Sequence, residues 1–89
     1  MEVSSLPLDK LVQTNINPTE RKIEIFASLM REFGLDYFPP ICCKYSIAQD
    51  RYFVVDGTHT SLSAIRVGYT HILSEVIVVD FVDSSQLLS

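Results

Sequence analysis

Apolar positions along this 89-residue chain change their period several times, and each change marks an element. Residues 2–8 (Glu-Val-Ser-Ser-Leu-Pro-Leu) read as a short strand at a sheet edge, because Pro7 cannot donate to a hydrogen-bonded ladder. Residues 9–16 read as a connection. The spacing then turns helical: Ile23, Phe26, Ala27, Met30 and Phe33 share one stripe. Arg21, Lys22, Glu24, Ser28, Arg31 and Glu32 fall mostly off it. Asn17 suits the N-cap, Pro18 the first helical position and Glu20 the third, a capping-box-like start. Gly34 supplies the stop, and Pro39-Pro40 forces an extended chain after it. Residues 41–46 and 51–55 flank the turn Ala48-Gln49-Asp50, so 41–55 reads as a β-hairpin. A short helix over 58–67 ends at Gly68. Residues 69–73 read as a loop and 74–81 as the last strand, with Val76-Ile77-Val78-Val79 a near-continuous core.

This order, β-α-β-β-α-β, predicts an α+β fold with a small mixed sheet and two main helices. Residues 1–82 form one domain. Residues 83–89 form a tail, polar apart from Leu87 and Leu88, that frays or docks on a partner. A hydrophobic share of 47%, with five Phe and four Tyr, suffices for one core, although a thin one. A homodimer or a protein partner would help such a domain.

Charge narrows the function. Seven basic residues stand against eleven acidic ones, a net charge of −4, and the basic residues are scattered. Autonomous DNA binding is therefore not expected. Cys42 and Cys43 are adjacent, and on a strand they point to opposite faces, so they do not pair. With no second pair and isolated histidines, no disulfide framework or metal site is expected, and the cytoplasm is the expected setting. No run approaches membrane-spanning length, so the chain is expected to be soluble, away from membranes.

The chemistry concentrates at Val54-Val55-Asp56-Gly57-Thr58-His59-Thr60-Ser61. A strand that turns on glycine into a helix aims free backbone N–H groups at one spot, and these with the helix dipole favour a phosphate. The hydroxyls of Thr58, Thr60 and Ser61 add donors. The same residues also suit an ordinary turn, with Thr58 as an N-cap.

Taken in order, the segments resemble the ParB/sulfiredoxin superfamily over about residues 3 to 81. Leu6-Pro7-Leu8-Asp9-Lys10-Leu11 resembles its first strand, and Asn17-Pro18-Thr19-Glu20-Arg21 the motif before its long helix. Gly34 followed by Pro39-Pro40-Ile41 resembles its glycine–proline–strand passage. Val55-Asp56-Gly57-Thr58-His59-Thr60, then Ala64 and Gly68, resembles the signature Asp-Gly-His-His-Arg with its later alanine and glycine. Val76-Ile77-Val78-Val79-Asp80 resembles the closing strand. The resemblance implies a nucleotide such as ATP, ADP or CTP at the corner, with Mg²⁺ where there is catalysis. The superfamily includes partition proteins that bind and hydrolyse CTP, sulfiredoxins that use ATP, and ADP-dependent free-serine kinases. Two departures matter. Sulfiredoxins carry a cysteine where Thr58 stands, and the arginine after the histidine is Thr60 here. Sulfiredoxin chemistry is not expected, and the paired phosphate donors of a guanidinium are missing.

Each site residue keeps two readings. His59 donates to a phosphate oxygen or is a satisfied packing residue. Glu20, in a Pro-Thr-Glu run like that of the serine-kinase branch, is a catalytic base or only the helix-start carboxylate. Arg21 replaces the missing arginine or lies on the solvated face. Asp56 braces the corner or joins a metal with nucleotide oxygens. Arg66 and His71 read as unremarkable. The expected function is a nucleotide- or phosphate-binding domain, with phosphotransferase or hydrolase activity within reach. The alternatives are a degenerate module acting through protein partners and, third, a ParB-like nuclease.

Overall fold

A computed structural model describes residues 2–79. Five strands form one mixed sheet: β1 (Glu2–Pro7), β2 (Leu11–Gln13), β3 (Ile41–Ser46), β4 (Arg51–Asp56) and β5 (His71–Val79). Their spatial order is β1-β5-β3-β4-β2. β1 and β5 are antiparallel, as are β3 and β4, whereas β5 runs parallel to β3 and β2 parallel to β4. Two helices accompany the sheet, α1 (Glu20–Phe33) and α2 (Thr58–Val67). The α+β class, the edge position of β1 and the 41–55 hairpin agree with the pattern of the sequence.

The core explains why the sheet has one covered face. Leu6, Ile41, Cys43, Val54 and Ile72 alternate along four strands and meet Met30 of α1 and Ala64 of α2. Both helices thus lie on one side. Ser63 is fully buried on α2 and donates its hydroxyl to the Ile23 carbonyl at 2.8 Å, which joins the helices without an unpaired polar atom.

Several expectations need correction. Residues 9–16 are more than a connection: after a 3₁₀ turn at Leu8–Lys10, Leu11-Val12-Gln13 adds β2 beside Tyr52-Phe53-Val54. The order is therefore β-β-α-β-β-α-β. α1 starts at Glu20 with Thr19 as N-cap, so Asn17 and Pro18 lie outside it. The reason is a competing local bond: the Asn15 side chain accepts from the Asn17 backbone N–H at 2.9 Å, an Asx turn that holds this stretch out of the helix. Phe33 is exposed and stacks on Tyr37, because the last turn of α1 runs past the core. β5 begins three residues early, at His71. It is not a continuous buried run either, since Ile77 and Val78 are 38% and 60% exposed. Ile77 is on the uncovered face, and Val78, though on the face of buried Ile72 and Ser74, lies toward the far end of the strand. Residues 80–89, with the end of the expected strand and the tail, lie outside the described residues.

Candidate functional site

The Asp56-Gly57 corner closes the end of β4 and opens α2. Gly57 is the N-cap residue, at φ 109° and ψ 26°, a left-handed conformation suited to glycine. A Cβ there would also sit 2.3 Å from Ile41 Cγ2, a buried side chain of the neighbouring strand. Glycine is required on both counts. The first helical bond runs from the Ser61 N–H to the Gly57 carbonyl at 2.9 Å. The N–H groups of Thr58, His59 and Thr60 precede that bond, and Gly57 has no side chain to cap them. Thr58 is thus the first helical residue and not the N-cap.

These residues line a cavity of about 310 Å³, together with Val55, Asp56, Thr14, Asn15, Lys22 and Phe26. That volume lies at the small end of ligand pockets. Lys22 places its ammonium 5.6 Å from the centre of the Phe26 ring, one helical turn along α1. Phe26, expected in the core stripe, is half-buried and packs on Phe38 at 5.1 Å between ring centres. Thr14 and Asn15 reach the cavity because β2 carries the chain there. Thr14 donates its hydroxyl to the Val54 carbonyl at 2.6 Å.

His59 has a defined partner. Its Nε2 accepts from the Thr19 backbone N–H at 3.0 Å, so the N-cap of α1 is pinned to the first turn of α2. An accepting Nε2 puts the ring proton on Nδ1. The imidazole is then a structural acceptor on one side and retains one donor on the other. Ser61 is buried and does not line the cavity. It donates to the Thr58 carbonyl at 3.0 Å and accepts from Gln13 Nε2 at 2.8 Å, so it fastens β2 to α2.

Glu20 and Arg66 meet across the two helices. The Arg66 guanidinium forks onto the Glu20 carboxylate, with Nη2 donating to Oε2 at 3.2 Å and Nη1 donating to Oε1. That hydrogen-bonded guanidinium holds the Glu20 carboxyl below its ordinary value and raises Arg66. Arg66 is therefore paired, not simply solvated. Neither Glu20 nor Arg21 lines the cavity; Lys22 is the cation that does. Because the Glu20 value is lowered by folding, the pair contributes above the ordinary carboxylate range and is lost as pH falls through the lowered value. Arg66→Ala should return the Glu20 titration, followed by the carboxyl ¹³C shift, toward the ordinary value. An unchanged midpoint would remove Arg66 as the cause.

Lys22, Phe26, Thr14 and Asn15 were absent from the sequence reading of the site. Lys22 and Phe26 carry a faint signal, a cation four residues before an aromatic on one helix. Thr14 and Asn15 carry none, since only the parallel β2–β4 pairing brings them in. Cys43 is buried, and that burial raises its thiol, while Cys42 faces the other way and is half-buried. His71 is exposed at the start of β5, 3.0 Å from the Thr70 hydroxyl. Among the described residues no group of His, Cys, Asp and Glu could hold a metal ion by itself, and no helix is long and apolar enough to cross a membrane.

No family model matches the sequence, and no curated protein does. Solved structures do match in fold. Sulfiredoxin from Arabidopsis thaliana superimposes with a TM-score of 0.74 at 18% identity, over 99% of this chain and 94% of that one. The chromosome-partitioning protein ParB from Caulobacter crescentus, complexed with CTP-γ-S, gives 0.74 at 20% identity, over 98% of this chain and 50% of that one. A free serine kinase in complex with AMP gives 0.76 at 20% identity, over 84% of this chain and 30% of that one. The chain thus spans nearly all of the sulfiredoxin, half of the ParB structure and under a third of the kinase. The two helices, the mixed sheet and these neighbours together show that this chain has the ParB/sulfiredoxin-like fold.

Proposed function

We propose that this chain binds the phosphate groups of a nucleotide at the α2 N-terminus. The observation that carries this reading is the uncapped first turn of α2 opening, behind Gly57, into a polar cavity that also holds Lys22. Three aligned N–H groups, the helix dipole, an ammonium and the Nδ1–H of His59 fit an anion. The complexes of like-folded proteins with CTP-γ-S and AMP support a nucleotide as its source. Asp56 lines the same cavity, and its carboxylate opposes a bare polyphosphate. A phosphate chain carrying Mg²⁺ suits it better, with the metal held by phosphate oxygens and one carboxylate.

Binding is better supported than phosphotransfer or hydrolysis. Glu20 is forked to Arg66, away from the cavity lining, and its lowered value makes it a weaker base. Thr60 lacks the forked donors of an arginine. The second reading, a module that has lost its nucleotide and acts through a protein partner, draws on these same two features. The nuclease reading gains nothing from any described residue.

Thermal unfolding with ATP, ADP, CTP and GTP, each with and without Mg²⁺, tests the proposal. A ligand specific to the folded state at 100 times its Kd adds about 2.7 kcal/mol, which raises Tm visibly in so small a domain. One nucleotide should do so, more strongly with Mg²⁺, and Lys22→Ala should reduce the shift while leaving the ligand-free Tm nearly unchanged. No shift with any of the four would favour the partner-binding module.

A further inference from the structure

The sheet face opposite the helices is open. Val3 of β1 and Leu73 and Ile77 of β5 are 49%, 48% and 38% exposed, and alternation places them on this side. Phe53 of β4 lies on the same face beside Lys44, with which it is paired across β3 and β4. No element among the described residues covers these side chains, which form an apolar field across the middle of the sheet. Two charges interrupt its middle, and Arg51, two residues before Phe53 on β4, stands at its end. Lys44 on β3 and Glu75 on β5 stand diagonally on adjacent parallel strands, Lys44 opposite Ile77 and Glu75 opposite Cys42. Among the described residues the one ion pair joins Glu20 to Arg66, so neither charge has a salt-bridge partner.

We infer that this face is the interface of a homodimer, with a second copy of the chain packed sheet to sheet about a two-fold axis. A two-fold axis lying in the interface and bisecting the line from Lys44 to Glu75 turns the face onto itself. It sets each Lys44 against Glu75 of the other copy, Ile77 against its own counterpart and Leu73 near Phe53. Self-complementarity of this kind is what an isologous contact needs. Adjacent strands are about 4.8 Å apart and alternate residues about 6.6 Å along a strand. Those spacings bring the axis close to the other two corners, Cys42 and Ile77, so the two Cys42 thiols face each other. Five strands of about six residues give a face on the order of 20 Å square. Two such faces bury roughly 1,000 Å², near the lower bound for a specific interface. The dimer is accordingly in equilibrium with monomer and sensitive to single charge changes.

Light scattering and sedimentation of the 89-residue chain across a range of concentrations test this. Wild type should move from one to two chain masses. Lys44→Glu and Glu75→Lys each set like charges in contact and should weaken the dimer at least tenfold, and the double reversal should restore it. Both substitutions are on the open face, and far-UV circular dichroism verifies that each protein is folded. Dibromobimane, a short thiol-to-thiol cross-linker, should join two chains in wild type but not in Cys42→Ser. A monomer at every concentration overturns the inference. So does a dimer indifferent to the reversals, or one that the double reversal leaves weak.

Discussion

Gly57→Val should cost on the order of 2–6 kcal/mol of stability, a large share of the roughly 5–15 kcal/mol available to a domain. Two causes add. A β-branched residue at φ 109° is strained by about 1–3 kcal/mol. Its Cβ would also lie 2.3 Å from Ile41 Cγ2 and 2.6 Å from Ile41 Cβ, so Ile41 or the corner must shift. Ile41 is only 3% exposed and has no room to yield, and overpacking of this kind costs about 1–3 kcal/mol more. Gly68 separates the causes. Its φ is 108°, yet a Cβ there meets nothing within 4 Å. Gly68→Ala should therefore show the backbone strain alone, and Gly57→Ala the strain plus the clash. Denaturant midpoints for the three variants measure both. Equal losses for the two alanines would remove Ile41 from the account.

Thr60→Arg should tighten nucleotide binding by roughly ten- to a hundredfold, because a charge-assisted fork onto phosphate contributes about 1.5–3 kcal/mol. Thr60 lines the cavity from the first turn of α2, one residue beyond His59, so a longer side chain starts from the correct wall. The corner retains the shape needed, with Gly57 left-handed and the Ser61 N–H bonded to its carbonyl. Asp56 sets the upper limit, since a new guanidinium that pairs with that carboxylate is lost to phosphate. Calorimetric titration of wild type and variant with ATP, ADP and CTP resolves the outcome. A gain confined to one nucleotide names the ligand. If neither protein binds any of them, the proposed site is wrong and Glu20 is simply half of an interhelical ion pair.

Local features were legible in the sequence, and features that depend on distant partners were not. Val55-Asp56-Gly57-Thr58 announces a strand, a glycine corner and a helix start because the required φ and the free N–H groups belong to those residues themselves. The hairpin at 41–55 and the stripe of α1 are local in the same sense. The start of α1 was misplaced because two local signals compete there, an Asn17 cap and an Asx turn from Asn15, and the latter prevails. β2 could not be read: three residues carry too little periodicity, and parallel pairing with β4 is settled some forty positions away. The same holds for the bonds that assemble the site. Thr19 to His59, Gln13 to Ser61 and Arg66 to Glu20 each span 40 residues or more. Lys22 became a cavity residue, and Glu20 a helix clamp, only once α1 was laid against α2. Val76-Ile77-Val78-Val79 shows the limit most plainly. An apolar run tells a strand, but the tertiary structure decided its burial: the helices cover one face, where Val76 packs on the core while Val78 of that same face stays 60% exposed, and they leave the face of Ile77 open.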